Sequence, residues 1–396
     1  MIDRVKPLVA ALVLVFSSSS FAGEAAPALG PETTGSTLII PAETKRLSAL
    51  YARSLSEGGK VVLWAGGDAP NQMDWLKSAF ESRFPGVTLD VTVDLSKFHD
   101  LRIDQELAAG GPLTPDVAML QTTFDFDKWK SRGVLLHYKP VGFAQQKTDY
   151  ADPDGAYVTA YNNAFVPTYA SVLLPREQYP TRYADYLRPE FKNKLVLTYP
   201  HDDDAVLYVY DKLEKRYGRD FLEALAAQNP RLLRGTAAPA ASVGADSIGS
   251  LGNLTGYATS SDTPAGYFIP TSEPFIVWNQ RAAIFKAARH PGTAKLLLSF
   301  LGSAEFQSSY GGWRARADVG EAPGLPPLES LRNVDVHDFT RWMVHRGRVA
   351  ALRTHMEQIF GPVVGESPLR DPALMSLLGL TVNDIIALPE PDQPIY

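Results

Sequence analysis

His201, Asp202, Asp203 and Asp204 place one imidazole and three carboxylates directly ahead of an apolar run in the stretch TYPHDDDAVLYVYDK (198–212). Such a group can hold a cation, move protons, or cap a helix. One aspartate needs only the last role, because Asp is a favoured N-cap and an acidic first turn interacts well with the helix dipole. Three in succession exceed what capping requires, and they repel one another unless positive charge lies near. A bare helix N-terminus attracts phosphate or carboxylate. Carboxylates in that place disfavour a phosphate-bearing ligand and favour a metal ion or an organic cation. Hard oxygen donors suit Fe(III), Ca, Mg or Mn, and His201 adds a nitrogen, so His201, Asp202 and Asp204 form the expected metal set. Capping alone and ligand contact both stay open on these residues.

The elements around this cluster are regular. KVVLWAGG (60–67) reads as a buried strand and a glycine turn, NQMDWLKSAFESRFPG (71–86) as a helix stopped by Pro85-Gly86, and VTLDVTVD (87–94) as an alternating strand. A helix over 97–111, a strand over 115–121 and a helix over 124–135 follow, and strands alternating with helices imply an α/β unit with a largely parallel sheet. A further strand is expected over 155–167. Val206, Tyr210, Leu213 and Tyr217 share one helix face, and Gly218 suits its end. The Gly, Ala and Ser content of 235–256 reads as flexible or close-packed. Residues 266–284 give two strand-like runs, 291–310 a helix and 338–362 a long amphipathic helix, with a preliminary helix over 43–57.

The chain has 396 residues, 45% hydrophobic and 21% charged, with a formal net charge of −6 and no cysteine. That length exceeds one ordinary core and implies two lobes. No basic stripe stands out, so nucleic acid is not an expected partner. The missing cysteines exclude disulfides, thiolate ligands, a cysteine nucleophile and a lipidated N-terminal cysteine. The N-terminus reads as a signal peptide: Arg4 and Lys6, then an apolar run from Leu8 to Phe16, then small residues that place cleavage after Ala22. That run is too short to span a bilayer as a helix. The expected location is therefore the periplasm, as an exported, soluble, non-lipidated protein.

Six blocks in order carry a resemblance: KVVLWAGGD, WLKSAFESRFPGVTLDV, PDVAMLQTTFDFDKWKSRGVLLHYKP, YADYLRPEFKNKLVLTYP, HPGTAKLLLSFLGSAEFQ and GGWRARADV. From about residue 60 to 362 the chain resembles the extracellular solute-binding proteins of ABC importers, particularly the iron(III)-type branch. The resemblance implies the α/β type II periplasmic-binding-protein fold: two lobes, crossover hinge strands and a ligand cleft between them. It implies a signal peptide over 1–22, a linker and N-terminal helix over 23–58, lobe one over 59–159 and 272–396, and lobe two over 160–271. It further implies a monomer that captures a small molecule or ion and delivers it to an ABC permease in the inner membrane, with no cofactor beyond a metal ion bound as ligand.

Position in that fold nominates Gly66, Gly67 and Asp68 after the first strand, Gln121, Thr122 and Thr123 after the third, and Tyr161 and Asn162 near the first crossover. An ordinary turn or cap accounts for each of these as well as ligand contact does. Trp313 and Arg314 lie in a late turn, where burial of Trp313 is the favoured reading. Iron-binding members carry adjacent tyrosines in lobe two, whereas SLGNLTGYATSS offers only Tyr257 and the first loop offers Asp68 in place of a histidine or tyrosine. Another metal or an organic cation is thus favoured as ligand, with iron and other small solutes kept as alternatives. His345 and His355 lie too far apart on their helix for a paired metal site. No G-x-S-x-G, H-E-x-x-H or Walker motif occurs. The readings set against the receptor are a secreted metal-dependent hydrolase using His201 and the aspartates, and a sensor subunit with the same fold.

Overall fold

A computed structural model of the chain describes residues 37–258, 264–388 and 390–391. The expected signal peptide and linker lie outside the described residues. The helix α1 (Pro41–Ser56) has proline in its first turn and buries Leu47 and Ser54. After it come β1 (Lys60–Gly66), α2 (Asp74–Arg83), β2 (Thr88–Asp94), α3 (Ser96–Ala109), β3 (Val117–Leu120) and α4 (Phe124–Ser131). β1 pairs in parallel with β2 and β3. It reads as an apolar run because helices cover both faces: Val61, Leu63 and Ala65 enter one core, while Val62 and Trp64 face the other.

The chain then passes through β4 (Val158–Ala170), β5 (Val196–Thr198), α5 (Asp204–Tyr217), α6 (Arg219–Ala227), β6 (Arg231–Leu233), α7 (Ala237–Ser242), β7 (Gly252–Gly256), β8 (Ala265–Tyr267) and β9 (Ile276–Ile284). The main sheet has the order β2-β1-β3-β9-β4-β7, with β8 also on β4, and β5 and β6 form a second, parallel pair. β4 and β9 are antiparallel and connect two cores. Val158, Ala160, Ala282 and Ile284 lie in the first, and Phe165, Ile276 and Trp278 in the second. These two strands are the crossovers between lobe one and lobe two. α8 (Pro291–Gly302) and α9 (Ala304–Ser309) return to lobe one; they are separate helices because the Ser303 hydroxyl caps the second by accepting from Phe306 N at 3.2 Å.

The expected long helix over 338–362 is two helices, α10 (Asp338–Met343) and α11 (Arg346–Phe360). They do not join lobe one, the place expected for 272–396. Phe339, Trp342, Met343, Val349, Met356 and Phe360 pack into the core of lobe two, against the Val206, Tyr210 and Leu213 face of α5. Polar bonds fix the docking: Trp342 Nε1 donates to Asp211 Oδ2 at 2.9 Å, and the Tyr208 hydroxyl to Asp338 Oδ2 at 2.6 Å. The chain then crosses back, and Leu369 and Met375, beside and within α12 (Pro372–Leu377), enter the core of lobe one. No helix among the described residues is long and apolar enough to cross a membrane.

Candidate functional site

Residues that follow the carboxyl ends of β1, β2 and β3 meet lobe two, Asp68 at Thr236, Lys97 at Asp202 and Thr123 at Thr340, and α/β sheets bind ligands at such an edge. The turn after β1 is tight. A Cβ at Gly66 would fall 2.0 Å from the Ser96 hydroxyl, and one at Gly67 would fall 2.5 Å from Gln72 Oε1. That turn delivers Asp68 across the cleft. Its Oδ2 accepts from the backbone N–H groups of Thr236 and of Ala237 (3.1 Å) and from the Thr236 hydroxyl at 2.8 Å. The Thr236 hydroxyl in turn lies 2.6 Å from the Tyr257 hydroxyl. Asp68 is only 5% exposed, and its second oxygen, Oδ1, is buried without a hydrogen-bond partner. Burial, with Asp68 next, raises the Tyr257 hydroxyl well above the usual tyrosine range, so it stays protonated.

The three consecutive aspartates take three separate roles. Asp203 is the N-cap of α5, its Oδ1 accepting from Ala205 N at 2.8 Å and Val206 N at 3.0 Å. Asp202 reaches lobe one, where Lys97 Nζ donates to its Oδ1 at 2.8 Å and to its backbone carbonyl at 2.6 Å; Arg234 Nε donates to its Oδ2 at 2.9 Å. Asp204 turns to α11 and takes Arg346 at 2.7 Å and Arg353 at 2.6 Å. Burial opposes ionisation in all three. For Asp202 the charges of Lys97 and Arg234 outweigh it, and for Asp204 those of Arg353 and Arg346, so both carboxyls are held below the usual range. For Asp203, which keeps some solvent contact, burial prevails over the Val206 hydrogen bond and, with Asp204 and Asp68 adding repulsion, pushes it up to about 6. The positive charge that three aspartates demand is therefore supplied by the chain itself, from positions remote in sequence.

His201 is half-buried beside this group. Its ring packs edge-on to Tyr199 at 5.8 Å with both ring nitrogens buried and without a hydrogen-bond partner, and burial holds its pKa below the usual imidazole range. Among the described residues no three His, Cys, Asp or Glu side chains converge to hold a metal ion. Of the expected polar residues after β3, Gln121 donates its main-chain N–H to the Ser96 hydroxyl at 3.0 Å, the Thr122 hydroxyl is buried without a hydrogen-bond partner, and the Thr123 hydroxyl lies 2.8 Å from that of Thr340. Asn162 is a hinge residue that donates to the Arg314 carbonyl at 3.1 Å and accepts from Asn279 at 2.8 Å. Tyr161 stacks on Tyr310, and Trp313 is buried, donating to the Pro326 carbonyl at 2.9 Å.

The structure thus brings Asp68, Asp203 and Tyr257 together with Thr236, puts Asn162 on a crossover strand, and leaves Gln121 and Thr122 beside Thr123, which meets Thr340 of lobe two. Lys97, Arg234, Arg346, Arg353, Thr236 and Ala237 were not singled out from sequence. Only Thr236 carried a local signal, a Gly-Thr pair ahead of a short run of small residues.

Residues 113–311 match the family model described as bacterial extracellular solute-binding protein. No curated protein matches the chain. Among solved structures, iron-bound HitA from Pseudomonas aeruginosa aligns with a TM-score of 0.57 at 16% identity, over 75% of this chain and 99% of its own. AfuA from Actinobacillus pleuropneumoniae, a periplasmic binding protein with fructose-6-phosphate bound, aligns at 0.60 and 17%, over 77% and 99%. Apo ferric ion-binding protein A from Pasteurella haemolytica aligns at 0.57 and 14%, over 78% and 100%. The fold is that of the type II periplasmic binding proteins. The matched family is one of solute-binding proteins rather than enzymes, which speaks against the hydrolase reading of His201 and the aspartates.

Proposed function

We propose that this chain, which belongs to the bacterial extracellular solute-binding proteins, captures a small, positively charged organic solute between its lobes and delivers it to the permease of an ABC importer. The observation that carries the ligand class is Asp68: a carboxylate 5% exposed in the cleft, with one oxygen buried and unpartnered. A buried acceptor on an anionic group is costly without a donor, and an ammonium or guanidinium supplies both donor and charge. Asp203, pushed up to about 6 beside it, is a second carboxyl whose ionisation a cation favours. Asp202 and Asp204 need no added cation, since basic side chains already pair with them. An organic cation is favoured over a bare metal ion because among the described residues no three His, Cys, Asp or Glu side chains converge. The exported, periplasmic, non-lipidated location belongs to the same reading, supported by the N-terminal pattern and the absence of cysteine.

A second reading rests on the other Asp68 oxygen. It occupies two lobe-two backbone N–H groups and a hydroxyl, and a carboxylate or phosphate of a ligand could displace it. One variant separates the two. Thermal unfolding is followed with putrescine, arginine and choline on one side and citrate and a sugar phosphate on the other, since a ligand that binds only the folded state raises Tm. With a cationic solute, Asp68→Asn abolishes the shift. If the ligand is an anion, Asp68→Asn instead enlarges it, and the cation assignment fails.

A further inference from the structure

The C-terminal segment crosses the cleft at the same place. After α11 ends in lobe two, Leu369 and Met375 enter the lobe-one core, with Leu380, Ile385 and Ile386 packed against it. Arg370 fastens the segment to lobe one: its Nη2 donates to the buried Asp94 Oδ2 at 3.0 Å, its Nε donates to the Leu388 carbonyl at 3.0 Å, and its guanidinium lies 5.8 Å from the Phe98 ring. From this anchorage two apolar side chains reach over lobe two. Leu378, 6% exposed, packs with Ala69 from the turn bearing Asp68 and with Ala237 from the helix that Asp68 caps, flanked by Ala241. Pro368 lies over Gly235, where a Cβ would fall 2.9 Å from its Cγ and 3.0 Å from Asp68 Oδ2. Gly235 has φ of +72°, so both backbone shape and space require glycine there.

The two attachments differ in kind. Toward lobe one the segment has an ion pair and core residues. Toward lobe two it rests on Gly235, Ala237 and Ala241, with two polar contacts outside that patch, from Arg234 Nη1 to the Gly365 carbonyl at 3.2 Å and to Glu390 Oε1 at 3.6 Å. Apolar contacts of this kind separate without leaving buried polar groups behind. The structural neighbours are covered over 99% of their own length but 75% to 77% of this chain, so this chain carries parts they lack.

We propose that the segment 367–380 is a clasp carried by lobe one that grips lobe two beside Asp68, biases the cleft toward its closed form before ligand arrives, and must release for solute exchange. This rests on the reading that the cleft is the binding site, but its test needs no ligand. Because the chain has no cysteine, Ala49→Cys on lobe one and Glu223→Cys on lobe two, both exposed, can carry a spin-label pair whose separation reports lobe opening. The parent labelled protein, free of solute, is expected to give one short distance. Leu378→Ala, which weakens the grip and leaves the anchor intact, is expected to raise the open-to-closed ratio about tenfold, equal to about 1.4 kcal/mol. Arg370→Gln is expected to do the same through the anchor, and Arg370→Lys to restore part of the closure. An unchanged distance distribution in both Leu378→Ala and Arg370→Gln overturns the proposal, as does a parent protein already open. Failure of cationic solutes to bind bears on the Asp68 assignment and leaves this result readable.

Discussion

Asp203 does two opposed things. Its carboxylate caps α5, which at an N-cap contributes roughly 1 kcal/mol, while burial pushes its pKa from an ordinary 3.8 up to about 6. A carboxyl with a raised pKa holds more protons folded than unfolded between those values, so stability falls as pH rises from about 4 to 6. Because solvent reaches part of the side chain, the loss is on the order of 1 kcal/mol. Asp203→Asn keeps a good cap without the titrating proton. Its stability relative to the parent chain is therefore expected to increase from pH 4 to pH 7 by about that amount, measured by urea unfolding; a flat difference across the range refutes the assignment. The run of aspartates was legible as a helix start and as a demand for positive charge. Its partners were not, because Lys97, Arg234, Arg346 and Arg353 are brought to Asp202 and Asp204 only by tertiary packing.

At the scale of elements, strands and helices with clean periodicity were legible and small-residue segments were not. β1, β2, α5 and β9 lie close to where apolar spacing puts them, since one or two buried faces impose the period. The stretch 235–256 has no such period, yet it forms α7 and the wholly buried β7. Its glycines are there for close approach: a Cβ at Gly252 would fall 2.4 Å from the Tyr186 ring, and one at Gly256 would meet Thr168 at 2.4 Å. The placement of α10 and α11 was equally invisible, because an amphipathic stripe says that a helix is half-buried and not against what. Their assignment to lobe two carries a prediction. Trp342 is 6% exposed, packs with Tyr208 and Phe339, and donates to Asp211. Trp342→Ala leaves a large void and is expected to cost about 3–5 kcal/mol. Hydrogen exchange should then accelerate in α5 and in α10–α11 together while α1 and α8 keep their protection. Acceleration centred on α1 and α8 instead would return these helices to lobe one.

For the molecule as a whole, the legible part was the order of elements, which fixes two α/β lobes and two crossovers, and the invisible part was how the lobes meet. Asp68 on the Thr236 and Ala237 N–H groups, Lys97 on Asp202, and the C-terminal segment on α7 all join residues far apart in sequence. Of these, the Lys97–Asp202 pair can be removed most cleanly. Lys97 Nζ bonds both the Asp202 carboxylate and its backbone carbonyl, so it ties α3 of lobe one to the start of α5 in lobe two. Lys97→Met keeps the aliphatic stem and removes the charge. Asp202 is not left bare, because Arg234 still holds it, so the penalty of an unpaired buried carboxylate is avoided. Each lobe also keeps its own core. The expected outcome therefore separates closure from stability: Tm falls by no more than a few degrees, while small-angle scattering of the solute-free protein shows a larger radius of gyration. A hinged two-lobe receptor behaves this way because interlobe contacts bias an equilibrium between open and closed forms rather than hold either lobe together. Identical scattering from Lys97→Met and the parent chain would mean that lobe closure does not depend on this pair, and that the remaining contacts, Asp68 on Thr236, Thr123 on Thr340 and the C-terminal segment on α7, carry it.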